Sequence, residues 1–319
     1  MQKEDFQKDE GLIIIGSYFL SLNFSGNLTK NIVGFYRSVY YDHLSNSTKQ
    51  LATTKFEPTH ARKAFPCFDE PNKKSVFQIT IIHDQKHPTA LSNMPVANQK
   101  TRPDNWIITE FEKSVKMSTY LVCFIISEFV YVETHSAHRV PIRTYAPADR
   151  VNMTVYALSV ASKVLDTYDE YFGILYSQSM PKLDLVSIPD FISGAMENWG
   201  VVTFRETNIL FSESTGSAME QERVAEVVAH ELAHMWFGNL ATMAWWDDLW
   251  LNEGFATFMA YDIGLPAWQP SWNSDSLYVY YNLQNVLVLD GALSSHPIIV
   301  PVWTTDDINS AFDSITYGK

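Results

Sequence analysis

At 319 residues, with 46% hydrophobic and 18% charged residues, the chain is long enough for two domains with separate cores and has the composition of an ordinary globular protein. Its 36 acidic residues outnumber the 23 basic ones, and the net charge of -13 argues against nucleic acid or anionic lipid as a partner and favours cationic ligands.

The first apolar run, GLIIIGSYFLSL at 11–22, is about half as long as the ~20 residues of a membrane span and is predicted as a strand. Its flank, MQKEDFQKDE, mixes both signs, so neither a secretory signal nor an anchor is expected within the chain. Cys67 and Cys123 lie in apolar contexts, FPCF and LVCFII, and are expected as buried thiols rather than a disulfide. Sequons at Asn23, Asn27, Asn46 and Asn152 lean slightly towards a secretory route. Through SVFQITIIHD, NWIITEFEKS and TYLVCFIISEFVYVET the hydrophobic period is two, broken by Pro, Asn and Asp clusters, which predicts an all-β domain over 1–144. After RTYAPADRVN the period lengthens. VYALSVASKVLDTYDEYFG predicts a helix stopped by Gly173, and KLDLVSI and GVVTFRETNILF predict strands, so 145–319 reads as a second, α+β domain.

The segment VVAHELAHMWFGN, 227–239, carries chemistry. Ser217 with Glu220 three residues on forms a capping box that starts a helix, and Gly238 is expected to end it. Residues four apart share a helix face, so the rings of His230 and His234 converge. Two imidazoles make half of a zinc site. A catalytic zinc takes a third protein ligand and leaves one position open, and Glu253, in the amphipathic helix DDLWLNEGFATFMAY folded back on the first, is the candidate. A lone histidine on an apolar helix is more often packed or solvated. H-E-x-x-H with a glutamate at this further spacing, however, is expected by chance in fewer than about one chain in a thousand. Glu231 follows the first histidine and cannot readily join it as a ligand, yet reaches water at the metal, so it is the candidate general base. Trp236, Trp245, Trp246 and Trp250 are assigned to core packing.

Four motifs, GAMEN (194–198), HELAH (230–234), WLNEGFA (250–256) and ARKAFPCFDEP (61–71), together resemble the zinc-dependent gluzincin aminopeptidases over nearly all of the chain. The resemblance implies a saddle-like N-terminal β-sheet domain followed by a thermolysin-like catalytic domain, incomplete at its C-terminus, with one Zn2+ per chain. It further implies that Gly194, Ala195, Met196, Glu197 and Asn198 form a strand edge that pairs with a peptide backbone, Glu197 holding the free α-amino group. Glu57 matches a second amine anchor, and Tyr317, in FDSITYGK, matches the donor to the oxyanion. Lys55 falls in the pocket for the first residue, where a lysine would repel Arg and Lys and could pair with Asp or Glu. The expected partners are peptides with a free N-terminus, with no nucleic acid and with a possible homodimer. Full-length relatives would be anchored at the extracellular face of the plasma membrane or lie in the secretory pathway. The chain departs from this pattern in lacking an anchor and in stopping two residues beyond Tyr317, so it looks like a fragment, a truncated isoform or an incomplete gene model. That leaves a second reading, a catalytically impaired module that binds peptides or interferes with a full-length partner. A zinc endopeptidase is disfavoured by Glu197.

Overall fold

The structure, a computed structural model, describes residues 16–318. Alternation builds its first half. In β1 (Gly34–Asp42) the buried residues Tyr36, Ser38 and Tyr40 alternate with more exposed ones, and the strand pairs antiparallel with β2 (Ser47–Lys55), from Gly34 opposite Lys55 to Asp42 opposite Ser47. The following strands are β3 (Thr80–Asp84), β4 (Thr89–Ser92), β5 (Val96–Thr101), β6 (Trp106–Phe111) and β7 (Phe124–Ser127). They complete one sheet of order β1-β2-β7-β4 and a second of order β3-β6-β5. β2 ends at Lys55, and the chain turns there to present Glu57.

A third sheet runs β11-β12-β10-β9-β8, from β8 (Val130–His135), β9 (Pro141–Ala146), β10 (Leu183–Ile188), β11 (Ala195–Met196) and β12 (Val201–Arg205). β9, β10 and β12 are parallel, and β8 and β11 are antiparallel edges. All six residues of β10 are buried, as a parallel strand covered on both faces requires. The connection from β9 to its parallel neighbour β10 passes through α1 (Val155–Phe172), which ends at Gly173 in the left-handed conformation (φ 64). The expected division at 144/145 falls inside β9, and β8 and β9 both pair within this third sheet.

α2 (Ala218–Ala233) packs on α1 and on α3 (Trp250–Met259), which runs through a wide turn at Ala260–Gly264 into α4 (Leu265–Trp268). Gly264 is where these helices touch. A Cβ there would lie 2.7 Å from Ala229 Cβ and 2.8 Å from the Tyr168 hydroxyl. Beyond lie α5 (Ser274–Tyr278), α6 (Gln284–Asp290), α7 (Thr305–Ser310) and α8 (Ser314–Gly318), the last packed against α3.

Three local expectations are corrected. Of the strand predicted over 11–22, residues 11–15 lie outside the described residues, and 16–22 are exposed and irregular. A strand needs a neighbour for its backbone groups, and among the described residues none pairs with this run. α2 stops at Ala233 with His234 as its cap, four residues before Gly238. Wide turn bonds, Asn239 N–H to His234 O at 3.0 Å and Leu240 N–H to Met235 O at 3.2 Å, take over from the helical pattern, and Gly238 (φ 128) serves that turn. Both cysteines are free thiols, but only Cys123 is buried; Cys67 is partly exposed.

Candidate metal centre and surrounding cleft

His230 and His234 leave α2 one turn apart, and Glu253 comes from the first turn of α3 opposite them. The two imidazole Nε2 atoms are 3.0 Å apart, and Glu253 Oε2 is 3.2 Å from each. His234 Nδ1 is 2.9 Å from the Phe237 carbonyl, which can only accept, so that nitrogen carries the proton and Nε2 presents a lone pair. Lone pairs and a carboxylate oxygen converging this closely repel one another unless a cation lies among them. The three donor atoms lie within 4.8 Å of one another on three buried residues, and among the described residues they are the group that could hold a metal ion. Two imidazoles and a carboxylate suit zinc. The fit is good.

The carboxylates around the triad carry the electrostatic mark of this arrangement. Burial first, then Glu57, pushes the Glu197 carboxyl up to about 8. Burial likewise drives Glu231 well above the ordinary range, with His234 opposing. On His234 burial disfavours charge, but Glu197 and Glu253 outweigh it and raise the imidazole well above its usual value. A dipositive ion on the triad would act on these groups in the opposite sense, favouring ionised carboxylates and neutral imidazoles.

Glu231 is buried beside His230, and its Oε2 has no hydrogen-bond partner. Glu197 and Glu57 are also buried, each with Oε1 unpartnered. Lys55, in turn, donates to Glu57 Oε2 at 2.8 Å and lies 3.0 Å from Met196 Sδ. Orphaned buried carboxylate oxygens are costly, so such a cluster is built for positive charge or for donors that arrive with a ligand.

The GAMEN segment forms the edge strand β11, paired through Met196 opposite Thr203. Gly194 O accepts from Arg205 N at 3.0 Å and Asn208 Nδ2 at 3.0 Å, and Asn239 Nδ2 holds the Glu197 carbonyl at 2.9 Å. Gly194, Ala195 and Glu197 line the cleft, whereas Met196 and Asn198 are buried behind its wall, Asn198 donating to Thr203 Oγ1 at 3.2 Å. Tyr317 on α8 stacks over His230, ring centroids 6.1 Å apart and 20° between planes. Its phenol is buried, and burial first, then the charge of Glu253, holds its pKa well above the phenol value. Of the four tryptophans, Trp246 and Trp236 are core residues, and Trp245 and Trp250 are partly buried.

Lys55, Glu57, Glu197, Glu231, Tyr317 and the triad all face one cavity of about 560 Å3. Three of its features escaped the sequence reading. His60 lines it, its pKa held down to about 4 by burial and by Lys63 and Lys55. Asn239 braces the edge strand, and the Tyr120 hydroxyl donates to Gly238 O at 3.1 Å, tying the β half to the turn after α2. None of these has a spacing signal. Only Asn239, just past the zinc-type motif, sat where a search could have begun.

Residues 156–319 match the sequence profile of the peptidase family M1 domain, and residues 2–121 that of the peptidase M1 N-terminal domain. Among curated proteins the chain is similar to "Aminopeptidase A" of Gloydius brevicauda, 48% identical over 304 residues, and to "Glutamyl aminopeptidase" of Homo sapiens, 47% identical over 304 residues. It is also similar to "Aminopeptidase 2, mitochondrial" of Saccharomyces cerevisiae, 48% identical over 304 residues. Each match covers 95% of this chain and 31% of the relative, so the chain spans about a third of the length of these proteins.

Proposed function

The chain belongs to peptidase family M1, as an N-terminal β domain followed by part of the catalytic domain, and from that premise we propose that it is the catalytic portion of a zinc aminopeptidase that releases the first residue of peptides. The observation that carries this reading is the set of unpartnered buried carboxylate oxygens, Glu57 Oε1, Glu197 Oε1 and Glu231 Oε2, around the His230–His234–Glu253 triad in one cleft.

Zinc, when bound by His230, His234 and Glu253, supplies Lewis acidity towards water and towards a carbonyl oxygen. Glu197 and Glu57 receive the α-ammonium. A buried ammonium needs paired carboxylates, and anchoring it here sets the first peptide bond a fixed distance along β11, whose free edge accepts the peptide backbone. Glu231 takes the proton of the attacking water and returns it to the leaving amine. The Tyr317 hydroxyl donates to the carbonyl oxygen as it gains charge. Hydrolysis of an aminoacyl reporter by the purified zinc-loaded chain, with no hydrolysis of the N-acetylated counterpart, tests the reading. Equal cleavage of both would refute the amine clamp and revive an endopeptidase.

The setting is part of the same proposal. All four sequon asparagines are exposed, Asn23, Asn27, Asn46 and Asn152, which supports glycosylation in a secretory or cell-surface location. Among the described residues no helix is long and apolar enough to cross a membrane.

A further inference from the structure

The two carboxylates assigned to the substrate amine come from opposite halves of the chain, Glu57 from the turn after β2 and Glu197 from the end of the edge strand β11. Their separation is set by whatever ties those halves together. β11 pairs over two residues, too few to fix its own place. Asp190, in the segment between β10 and β11, receives such a tie. The Tyr36 hydroxyl donates to its carbonyl at 2.7 Å, Ser38 Oγ and Val39 N donate to its Oδ2 at 2.9 and 3.0 Å, and its own N–H donates to Ser38 Oγ at 3.0 Å. All four bonds run to β1, 151 to 154 residues earlier. The carboxylate shares a groove with the cations Lys30, Arg37 and Arg205, yet its hydrogen bonds go to β1.

We infer that Asp190 is a positioning residue that locks β1 to the approach to β11 and so sets the spacing between Glu57 and Glu197. This rests on the aminopeptidase reading above, in which those two carboxylates take the α-ammonium. On the β side, strand pairing carries the lock to Glu57, because β1 lies against β2 with Tyr36 opposite Thr53 and Gly34 opposite Lys55, at the end that presents Glu57. On the other side, the segment from Asp190 to β11 is held along its length. Arg205 Nε donates to Ser193 O at 3.1 Å and its Nη2 to Ile192 O at 2.8 Å, and Asn208 Nδ2 donates to Gly194 O at 3.0 Å. A displacement at Asp190 is therefore passed on to Glu197 rather than absorbed between them. The far end of the edge is tied separately, Asn93 Nδ2 donating to Trp199 O at 2.9 Å, so loss of the Asp190 lock loosens the clamp without releasing it. An ammonium held by two carboxylates needs both at hydrogen-bond distance, and a misplacement of ~1 Å can cost about 100-fold.

The test measures how strongly the site tells an α-amine from its absence. Calorimetric affinities for leucinamide and for 4-methylpentanamide, the same skeleton without the amine, are compared on the zinc-loaded Glu231→Gln chain, alone and combined with Asp190→Ala, Asp190→Asn or Ser38→Ala. The preference for leucinamide is expected to fall at least ~10-fold with Asp190→Ala, which removes the acceptor, and to stay within about 3-fold with Asp190→Asn, which keeps an acceptor oxygen. Ser38→Ala cuts the same lock from β1. It is expected to lower the preference by itself and to add little to Asp190→Ala, as members of one network do. Ser38→Ala alone decides the matter should Asp190→Ala fail to fold. A contact that served only stability would lower the unfolding midpoint and leave the preference intact, and that result would overturn the positioning role while the amine clamp stood. Equal affinity of the Glu231→Gln parent for the two amides would instead sink the clamp itself, and the role of Asp190 with it.

Discussion

Glu231 and His234 lie three residues apart on the same turn of the chain and are both buried, yet their chemistry differs by what their atoms meet. His234 is locked by the Phe237 carbonyl into the tautomer that directs Nε2 at Glu253, whereas Glu231 Oε2 meets nothing. Metal binding and turnover should therefore separate by mutation. His234→Ala and Glu253→Ala are expected to lose zinc, measured by metal analysis after dialysis, because two ligands hold zinc far less well than three. Glu231→Gln is expected to retain zinc and lose at least ~100-fold in reporter turnover, the scale of a general base. Full occupancy in His234→Ala would contradict the ligand assignment. Tyr317→Phe keeps the ring that stacks on His230 and removes only the hydroxyl. Turnover is expected to fall ~100-fold with KM little changed, as for loss of one donor to a developing oxyanion. A rise in KM alone would make the tyrosine a binding group. The convergence of His230 and His234, and the place of Glu231 beside them, were legible in the sequence because a helical repeat fixes their relative positions. Lys55 was legible as a cleft residue but not as a partner of Glu57, because two residues at a strand end can face together or apart.

At the scale of elements, the helix that carries the histidines was readable at its start, where the Ser217–Glu220 capping box is formed as expected, with Glu220 N–H to Ser217 Oγ at 3.2 Å. Its end was not. Competing wide-turn bonds after His234 are decided by tertiary contacts, including Tyr120 from the β half, and these have no local signature. The antiparallel edge β11 is only two residues long, too short for any periodicity, and its place depends on β12 beside it. The triad likewise depends on helix contact. Gly264, just past α3, permits that helix to press on Ala229, the residue before His230. Gly264→Ala is expected to lower unfolding stability by about 1–3 kcal/mol through overpacking against Ala229 and the rigid Tyr168 ring. Zinc affinity should weaken with it, because Glu253 rides on the same helix. Denaturant titration and competition with a chelator measure the two, and unchanged values for both would show that the contact relaxes without cost.

Across the whole molecule, the cleft has walls from both halves of the chain, and His60 reports on their closure. In an unfolded chain its imidazole would titrate near 6.5, but in the folded protein burial, then Lys63 and Lys55, hold it at about 4. Between those values the unfolded chain binds the extra proton, so stability rises with pH over the window. The contribution is fully present above about 6.5, is lost as pH falls towards about 4, and changes no further below that. Replacing His60 by Asn should flatten the pH dependence of the unfolding midpoint in that window relative to wild type. Identical slopes would place His60 outside the closed wall.

What the sequence determined alone was whatever short-range geometry or a specific motif set could carry. The β-then-α+β order followed from hydrophobic period, and the zinc ligands from i,i+4 spacing and a companion glutamate. The proposed reaction class followed from the family resemblance that GAMEN carries beside HELAH. What only the tertiary structure decided was what depends on contacts between distant segments. It moved β8 and β9 into the third sheet, since a parallel pair through α1 cannot be read from either strand. It put Met196 and Asn198 behind the wall that Glu197 faces. It also joined Lys55 to Glu57 inside a cavity whose other carboxylates come from 140 to 200 residues away. Buried charge is balanced across a whole cavity, and no local stretch of chain contains that sum.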